Sequence, residues 1–336
     1  MVVLRPTPAQ AALLCSLILW LSGCSYSAEE IPAFKNFRKF ELIYEPSGVQ
    51  QLPDGRFLVV EDEAAHPLDV FSLEPDGGVS EKALYRSSWL SWTSPNRAMR
   101  TLEDLEAVAV DDQGRVYAIT SHSRKENGKR AGEREQLVRF RLEGDQVVDF
   151  QVLRGLRKKI SAQHKYFKKA ARIRDVKDDG GFNIEGLSFD AAKQHLLVGL
   201  RSPRAGSDAL IVVLENPQGV FDRGEEPRIS DRLIELDLDG GGIRALGYDP
   251  YLAGFLIISR KPGKSFKLWL WSGDTAERPS RLKIRRVKNL RQAEGVTPVS
   301  LEGRAIGILI VSDEGAGSKG KPGHYLFLRY EQLVSD

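Results

Sequence analysis

The amino-acid sequence predicts an all-β fold, a β-propeller with five blades, and two features predict it. The first is a pair of apolar runs joined by a turn rich in Asp, Gly or Pro, which is typical of a β-hairpin. The second is the recurrence of that hairpin at intervals of roughly fifty residues, which is typical of propeller blades. The hairpins begin at five related motifs: Ser47-Gly48-Val49, Glu106-Ala107-Val108, Glu185-Gly186-Leu187, Arg244-Ala245-Leu246 and Glu294-Gly295-Val296.

The N-terminus predicts a lipoprotein signal peptide over residues 1–23. The apolar run from Ala11 to Leu21 is too short to span a membrane as a helix. The sequence Leu-Ser-Gly-Cys then ends at Cys24 and resembles the box in which a bacterial lipoprotein cysteine is lipidated, whereas an ordinary secretory signal is the alternative. We expect a lipidated Cys24, a tether over residues 24–36, and a domain on the periplasmic face of the outer membrane, because Ser25 follows the cysteine as in outer-membrane sorting.

Cysteine usage excludes several classes of chemistry. The chain has two cysteines, and Cys15 lies inside the predicted signal peptide. The mature chain would therefore keep Cys24 alone, so it has no internal disulfide and no zinc site built from cysteines. Stability must come from apolar burial, which a domain of about three hundred residues can supply.

Residues 37–336 are predicted to form one propeller domain. The last blade has only three C-terminal strands, so residues 40–44 are expected to supply the fourth and close the ring. A sixth blade is the alternative if residues 157–182 hide strands. The predicted strands are 48–52, 56–61, 68–73 and 79–85 in the first blade, 106–111, 115–121, 136–142 and 146–153 in the second, 185–190, 196–201, 208–214 and 231–237 in the third, 243–249, 254–260, 266–272 and 282–287 in the fourth, and 294–299, 306–312 and 324–330 in the fifth.

A basic helical insertion is predicted at about 156–178, between the second and third blades. Leu156, Ile160, Phe167 and Ala171 recur at helical spacing. The stretch 154–177 contains ten basic residues and one acidic residue, which leaves the rest of the chain with a net charge of −6. The basicity is therefore local and does not predict a nucleic-acid-binding protein. A separable lid over the throat and a partner-binding surface are both open interpretations.

Strand direction brings charged side chains to one face of the ring. Neighbouring strands of a blade are antiparallel, so the start of the first strand meets the end of the second. This face collects carboxylates and guanidinium groups from separate blades, under loops rich in Lys and Arg, which suits an anionic ligand. A ring of Glu–Arg pairs that only ties blades together is the alternative. The converging residues are Ser47, Asp62, Asp104, Glu106, His122, Asn183, Glu185, Arg201, Arg244, Arg260, Glu294 and Asp313.

Several motifs resemble an uncharacterised bacterial domain-of-unknown-function family, distantly similar to phytase-like and lactonase-type (senescence-marker-like) propellers. The resemblance implies no established activity. In the lactonase-type and phytase-like propellers, a Glu-Gly strand start brings carboxylates onto a central divalent cation, usually Ca²⁺, and Ser47 and Arg244 depart from that pattern. The motifs are Glu106–Asp111, Ile119–Arg124, Asn183–Leu187, Leu214–Pro217, Gly242–Arg244 and Ser312–Gly315.

Together these observations predict a lipid-anchored cell-envelope propeller that binds an anionic small molecule at its throat. Hydrolysis of a phosphoester, ester or lactone with the help of Ca²⁺ is the candidate reaction. The alternative is a non-enzymatic scaffold that binds an envelope protein or a polyanion through its basic loops. The predicted roles are metal binding for Glu106, Glu185, Glu294 and Asp313, anion binding for Asn183, Arg201, Arg244 and Arg260, and proton transfer for His122.

Overall fold

The computed structural model describes residues 31–335 except 63–66, 85–98, 100–101, 175–179 and 315–318. The predicted signal peptide and Cys24 lie outside the described residues. Five antiparallel sheets form a ring, which confirms an all-β propeller with five blades. No helix among the described residues has the length and apolarity needed to cross a membrane.

The blades follow one another along the chain, and the first strand of each lies nearest the axis. These five inner strands contact one another in chain order around the ring, and the last contacts the first. The strands are β1 (Arg38–Lys39); β2 (Pro46–Gln51), β3 (Phe57–Glu61), β4 (Leu68–Leu73) and β5 (Val79–Ala83) in blade 1; β6 (Leu105–Val110), β7 (Val116–Thr120), β8 (Gln136–Glu143) and β9 (Gln146–Arg154) in blade 2; β10 (Asn183–Asp190), β11 (His195–Ser202), β12 (Ala209–Leu214) and β13 (Ile234–Leu236) in blade 3; β14 (Gly242–Asp249), β15 (Gly254–Arg260), β16 (Lys267–Trp271) and β17 (Ser280–Ile284) in blade 4; and β18 (Ala293–Leu301), β19 (Arg304–Ser312) and β20 (His324–Arg329) in blade 5, with β21 (Leu333–Ser335) at the C-terminus.

The core lies between the blades, because each sheet is covered on both faces. Successive residues of a strand point to opposite faces. In β3, Phe57 and Val59 therefore pack in the cluster shared with blade 5, whereas Leu58 and Val60 pack in the cluster shared with blade 2. This explains why the second apolar run of each predicted hairpin is continuous rather than alternating.

The ring is closed by the N-terminal segment, but the closing strand differs from the predicted one. Residues 40–44 are not a strand, and β1 pairs with β20 instead, with Arg38 opposite Tyr325. The carboxylate of Glu81 accepts the backbone N–H groups of Glu41, Leu42 and Ile43 at 2.7, 2.8 and 3.2 Å. These bonds end the pairing with β20, because they take N–H groups that a strand would need.

The packed domain begins earlier than the predicted residue 37, and it ends in a strand that the sequence does not predict. Ile31 and Phe34, which we assigned to the tether, are 2% and 4% exposed and belong to the core shared with blade 5. Arg329 donates to the carbonyl oxygen of Ile31 at 2.7 Å. At the other end, β21 adds a fifth strand to blade 4 by pairing with β17, which the sequence analysis did not predict. The tether therefore ends before residue 31.

The insertion forms two short helices, α1 (Leu156–Gln163) and α2 (Lys165–Ala170), rather than one long helix. The break falls at His164, whose backbone is extended and whose Nε2 contacts the carbonyl oxygen of Ser230 at 3.0 Å. Ile160 and Phe167 are fully buried in the core between blades 2 and 3. The insertion is thus docked into the core, which does not fit a separable lid. A third helix, α3 (Pro217–Arg223), follows β12 and was not predicted.

Candidate functional site

Five equivalent β-bulges build the throat. In blade 1, Pro46 lies opposite Glu61 and Gly48 lies opposite Val60, so Ser47 between them has no partner in β3. The inner strands of the other four blades show the same shift in register at the same position. A bulge re-aims the side chain of its extra residue. All five bulged residues line one cavity: Ser47, Glu106, Glu185, Arg244 and Glu294.

The small residue after each bulge allows the inner strands to approach closely. A Cβ atom on Gly48 would lie 3.0 Å from the Cα atom of Ala107 in the next blade. A Cβ atom on Gly295 would lie 2.9 Å from the backbone nitrogen of Val49. The recurring Glu-Gly and Glu-Ala pairs therefore combine a side chain aimed at the axis with a backbone that tolerates close contact.

Arg244 occupies the position between two carboxylates of the ring. Its Nη1 lies 2.6 Å from Oε2 of Glu185, and its Nη2 forms an ion pair with Glu294. Burial opposes the charged form of Arg244, but the two carboxylates outweigh it and raise the pKa of Arg244 above its ordinary value. This side of the ring is therefore held together by a buried, charged triad that links blades 3, 4 and 5.

Arg201 extends the triad towards the open cavity. Its Nη1 donates to Oε1 of Glu185 at 2.7 Å, and Nδ2 of Asn183 donates to the same oxygen at 3.0 Å. The side chain of Arg201 is 35% exposed, and its other N–H groups have no hydrogen-bond partner among the described residues. Arg201 thus presents a fixed guanidinium group with free donors to the cavity.

The opposite side of the ring carries carboxyl groups that favour the protonated form. Glu106 has no hydrogen bond or ion pair with any residue that the structure describes. Burial, followed by the negative charges of Glu185 and Asp104, raises the pKa of Glu106 well above its ordinary value. Loss of hydration in the throat and the charge of Asp104 raise the pKa of Asp62 to about 8. Both shifts favour the uncharged form of the carboxyl group, which can donate a hydrogen bond.

Glu294 is a ring carboxyl group that is both buried and paired with Arg244. Burial raises its pKa to about 7, although the guanidinium group of Arg244 opposes the shift. Asp104 differs again, because Ser121 and Ser123 donate to its carboxylate, the latter at 3.2 Å, and Arg134 forms an ion pair with it. The carboxyl groups of one throat therefore have different partners.

The cavity above the ring has a volume of about 670 Å³, and both acidic and basic side chains line it. Loop residues from blade 2 and from the end of the insertion supply its cations. One of them, Arg174, packs against Gly128, whose added Cβ would lie 3.1 Å from the Cβ atom of Arg174. The remaining lining residues beyond the ring are Asp62, Asp104, Ser123, Arg124, Lys125, Glu126, Asn127, Gly128, Arg134, Asn183, Arg201 and Asp313.

The throat residues do not fit a calcium cage built on the ring. Ca²⁺ prefers six to eight oxygen ligands. Arg244 already places a permanent positive charge against both Glu185 and Glu294. Within the described part of the chain, no group of three or more His, Cys, Asp or Glu side chains is arranged to hold a metal ion. Metal binding by Glu106, Glu185, Glu294 and Asp313 stays a prediction that this donor set does not favour.

Two predicted site residues lie away from the cavity lining. His122 is fully buried, its Nδ1 contacts the carbonyl oxygen of Thr120 at 2.9 Å, and burial lowers its pKa to about 4. A neutral, enclosed imidazole is poorly placed to exchange protons with a ligand. Arg260 is exposed, lies over the Phe266 ring at 5.0 Å, and lines a separate surface depression with Arg291 and Glu314.

The structure brings together most of the predicted residues and adds others. Asn183, Arg201 and Arg244 converge on Glu185, as the sequence pattern indicated. Asp62 and Asp104 were placed on the correct face by strand direction but received no role. The sequence feature that pointed to Asp62 and Asp104 was their position at strand ends. The interaction of their carboxyl groups becomes visible only once blades 1 and 2 are packed together.

Comparison with known proteins identifies no family. Neither a protein-family model nor a curated protein matches this sequence. Similar solved structures include the allergen Mala s 1 of Malassezia sympodialis, with 14% identity, a TM-score of 0.41, and coverage of 86% of this chain and 78% of that chain. A Bacteroides thetaiotaomicron protein of unknown function shows 10% identity and a TM-score of 0.40, with coverage of 90% of this chain and 62% of that chain.

A sialidase of Trypanosoma rangeli, solved in complex with a difluorinated keto-deoxy sugar acid, is also similar. It shows 12% identity and a TM-score of 0.36, with coverage of 83% of this chain and 47% of that chain. At these values we draw no inference about ligand or activity from any of the three. The propeller itself rests on the sheet topology described above. The resemblance to a domain-of-unknown-function family stays a prediction.

Proposed function

We propose that the throat binds a small anionic molecule between Arg201 and Glu106. One observation carries the proposal: a single cavity contains a fixed, half-exposed guanidinium group and a partly buried carboxyl group that has no partner among the described residues. A ligand that accepts hydrogen bonds from both groups would provide the missing partners.

The ring prepares Arg201 for this role. Glu185 accepts from Nη1 of the guanidinium group, Asn183 donates to the same carboxylate oxygen, and Arg244 fixes Glu185 from the other side. A carboxylate or phosphoryl ligand would accept from the free edge of Arg201 in the paired geometry that guanidinium favours. Protonated Glu106 would donate to a second oxygen without adding a negative charge to the site.

The same arrangement suits hydrolysis of an ester or phosphoester. The leaving oxygen needs a proton, and a carboxyl group with a raised pKa holds one near neutral pH. Glu106 is better placed for this transfer than His122, because Glu106 lines the cavity and His122 does not. We propose Glu106 as the proton donor and Arg201 as the group that stabilises negative charge on the substrate.

Binding is tested by thermal unfolding with named probes, namely gluconate, glucose 6-phosphate and inorganic phosphate, each at several concentrations. We expect at least one probe to raise the melting temperature of the wild type. Arg201→Gln should abolish that increase, whereas Arg232→Gln, which removes an exposed positive charge of the same blade outside the cavity, should retain it. If no probe stabilises the protein, or if Arg201→Gln responds like the wild type, the ring is structural.

Hydrolysis is tested separately with p-nitrophenyl acetate and p-nitrophenyl phosphate, with Ca²⁺ and with a chelator. Glu106→Gln should lower kcat with little effect on KM, because the amide fills the same space but has no acidic proton. Unchanged turnover in Glu106→Gln would remove Glu106 from the reaction without affecting the binding proposal.

We further propose that the domain is attached to the bacterial cell envelope through a lipidated Cys24. The support is the sequence Leu-Ser-Gly-Cys ending at residue 24 after a short apolar run. In this proposal the membrane is a partner only through the lipid. Residues 25–30 would link it to the domain that begins near Ile31.

A further inference from the structure

A second cavity lies beside the throat, between the insertion and the loop that connects β7 to β8. We name it the insertion cleft. Its volume is about 540 Å³. It is separate from Arg201 and from all five bulged residues, and Arg124 alone among its cations also lines the throat. The cations that line it are Arg124, Arg130, Arg154, Arg157, Lys158 and Lys168.

The carboxylates that the structure describes in its lining do not balance the charges of the insertion cleft. Glu135 is the only carboxylate among its lining residues. Glu135 is already shared, because Nε of Arg130 and Nη1 of Arg157 donate to it at 2.8 and 2.7 Å. Six cations therefore line the cleft with one carboxylate, and both oxygens of that carboxylate already accept from Arg130 or Arg157. Such crowding of like charge disfavours the folded state unless a counter-ion relieves it.

Arg157 shows that the crowding reaches the interior. It is buried, and its pKa lies below the ordinary value, first because of burial and then because Arg130 and Arg124 are close, although Glu135 opposes these effects. His122 lies behind it, with a neutral imidazole whose Nε2 has no hydrogen-bond partner among the described residues. The wall of the cleft thus holds a positive charge that the described residues only partly compensate.

The mouth of the cleft offers donors that the fold does not use. Lys158 and Lys168 are exposed and have no hydrogen bond or ion pair with any described residue. Gly155 and Lys158 line the cleft at the start of α1, which has no acidic residue in its first turn and no side-chain cap. The first N–H groups of a helix have no intrahelical acceptor and favour an anion.

We propose that the insertion cleft binds a phosphoryl-bearing anion. A phosphoryl group combines two negative charges with several acceptor oxygens, so it can contact Lys158, Lys168 and the N-terminus of α1 together. A monocarboxylate offers fewer acceptors and one charge. The phosphoryl group can belong to a small soluble molecule or to a lipid headgroup, and the two sources share this chemistry.

The test compares two double variants of the full chain that remove equal charge. Lys158→Gln with Lys168→Gln alters the cleft, whereas Lys169→Gln with Arg172→Gln alters exposed residues of the same insertion that do not line it. Inorganic pyrophosphate is titrated by calorimetry, and vesicles of phosphatidylcholine with and without phosphatidic acid are tested by cosedimentation. We expect the cleft variant to bind the phosphoryl probe about tenfold more weakly, equivalent to about 1.4 kcal/mol, and the control variant to stay within about twofold of the wild type.

The outcomes separate the sources and the rival explanation. A selective loss of pyrophosphate binding supports a soluble phosphoryl ligand, and a selective loss of vesicle binding alone supports a lipid headgroup. Equal weakening in both double variants, or no binding of either probe, overturns the proposal, because the cations would then act only as diffuse surface charge. Arg201→Gln should leave binding in the cleft unchanged, so failure of the throat proposal and failure of this one are distinguishable.

Discussion

The buried pairing of Arg244 yields the sharpest test of how the throat is built. Replacing Arg244 by Gln removes the guanidinium group from between Glu185 and Glu294. Removing one partner of a buried ion pair costs about 3–5 kcal/mol, because the remaining charge is left unpaired. Glu185 keeps Arg201 and Asn183, so we expect the lower end, about 3 kcal/mol of unfolding free energy.

Arg201→Gln is the matched control for this experiment. Arg201 pairs with the same carboxylate, but its side chain is 35% exposed, so solvent screens the pair. Exposed pairs contribute about 0–1 kcal/mol. Both variants lose one guanidinium group next to Glu185, and a difference of about 2 kcal/mol between them would measure the effect of burial.

The dependence on pH provides an independent check. In the wild type, Arg244 opposes the rise in the pKa of Glu294, so its removal should raise that pKa further. A carboxyl group whose pKa is raised by folding stabilises the folded state at low pH, and this contribution is lost as pH rises through the folded pKa. The deficit of Arg244→Gln should therefore be small at about pH 5 and large at about pH 8.

The assay is urea unfolding followed by tryptophan fluorescence, since Trp269 and Trp271 are buried in blade 4. The reasoning is refuted if Arg244→Gln costs less than about 1 kcal/mol at neutral pH, or no more than Arg201→Gln.

Addition of Ca²⁺ gives a further comparison. We expect Ca²⁺ to stabilise Arg244→Gln more than the wild type, because the variant leaves ring carboxylates without their cation. Strong stabilisation of the wild type would support the predicted calcium site instead.

Three further predictions concern other parts of the chain. Phe167→Ala should lower the free energy of unfolding in urea by about 3–5 kcal/mol, because Phe167 is fully buried; a smaller loss would support the interpretation of the insertion as a separable lid. Wild-type stability should fall as pH rises from about 5 to about 8, because the raised carboxyl groups lose protons, and Glu106→Gln should flatten that slope; an unchanged slope would show that Glu106 does not titrate there. Cys24→Ala should move the protein from the membrane fraction to the soluble fraction, and equal fractionation would contradict lipidation.

The sequence was a good guide wherever one blade resembles the next. The five related hairpin motifs marked the start of each inner strand within two residues, because the bulge and the close approach both restrict residue choice at that point. The closing strand was misplaced because Phe40 and Ile43 are buried without being in a strand. Their burial produced the apolar pattern, and the carboxylate of Glu81, from a different blade, decided the backbone conformation.

The ionisation of the throat could not be predicted from the sequence. The motifs placed Glu106 and Glu185 at equivalent positions, which suggested equivalent roles. Their surroundings differ because Glu185 receives Arg201, Arg244 and Asn183, whereas Glu106 receives none of them. The pairing of each cation with a carboxylate depends on the length of the side chain and on the order of the blades around the ring. A local motif contains neither kind of information.

The asymmetry of the ring locates the candidate chemistry. Backbone geometry repeats five times, but a positive side chain occupies only one of the bulged positions, Arg244. Its two neighbours in the ring are Glu185 and Glu294, and both become its partners. Glu106 is the ring carboxyl group that does not adjoin Arg244, which is why the proposed ligand site uses it. Exchanging the residue types at positions 106 and 244 should therefore move the carboxyl group that lacks a cation to another position of the ring and abolish the proposed binding through Arg201, although every bulge would be retained.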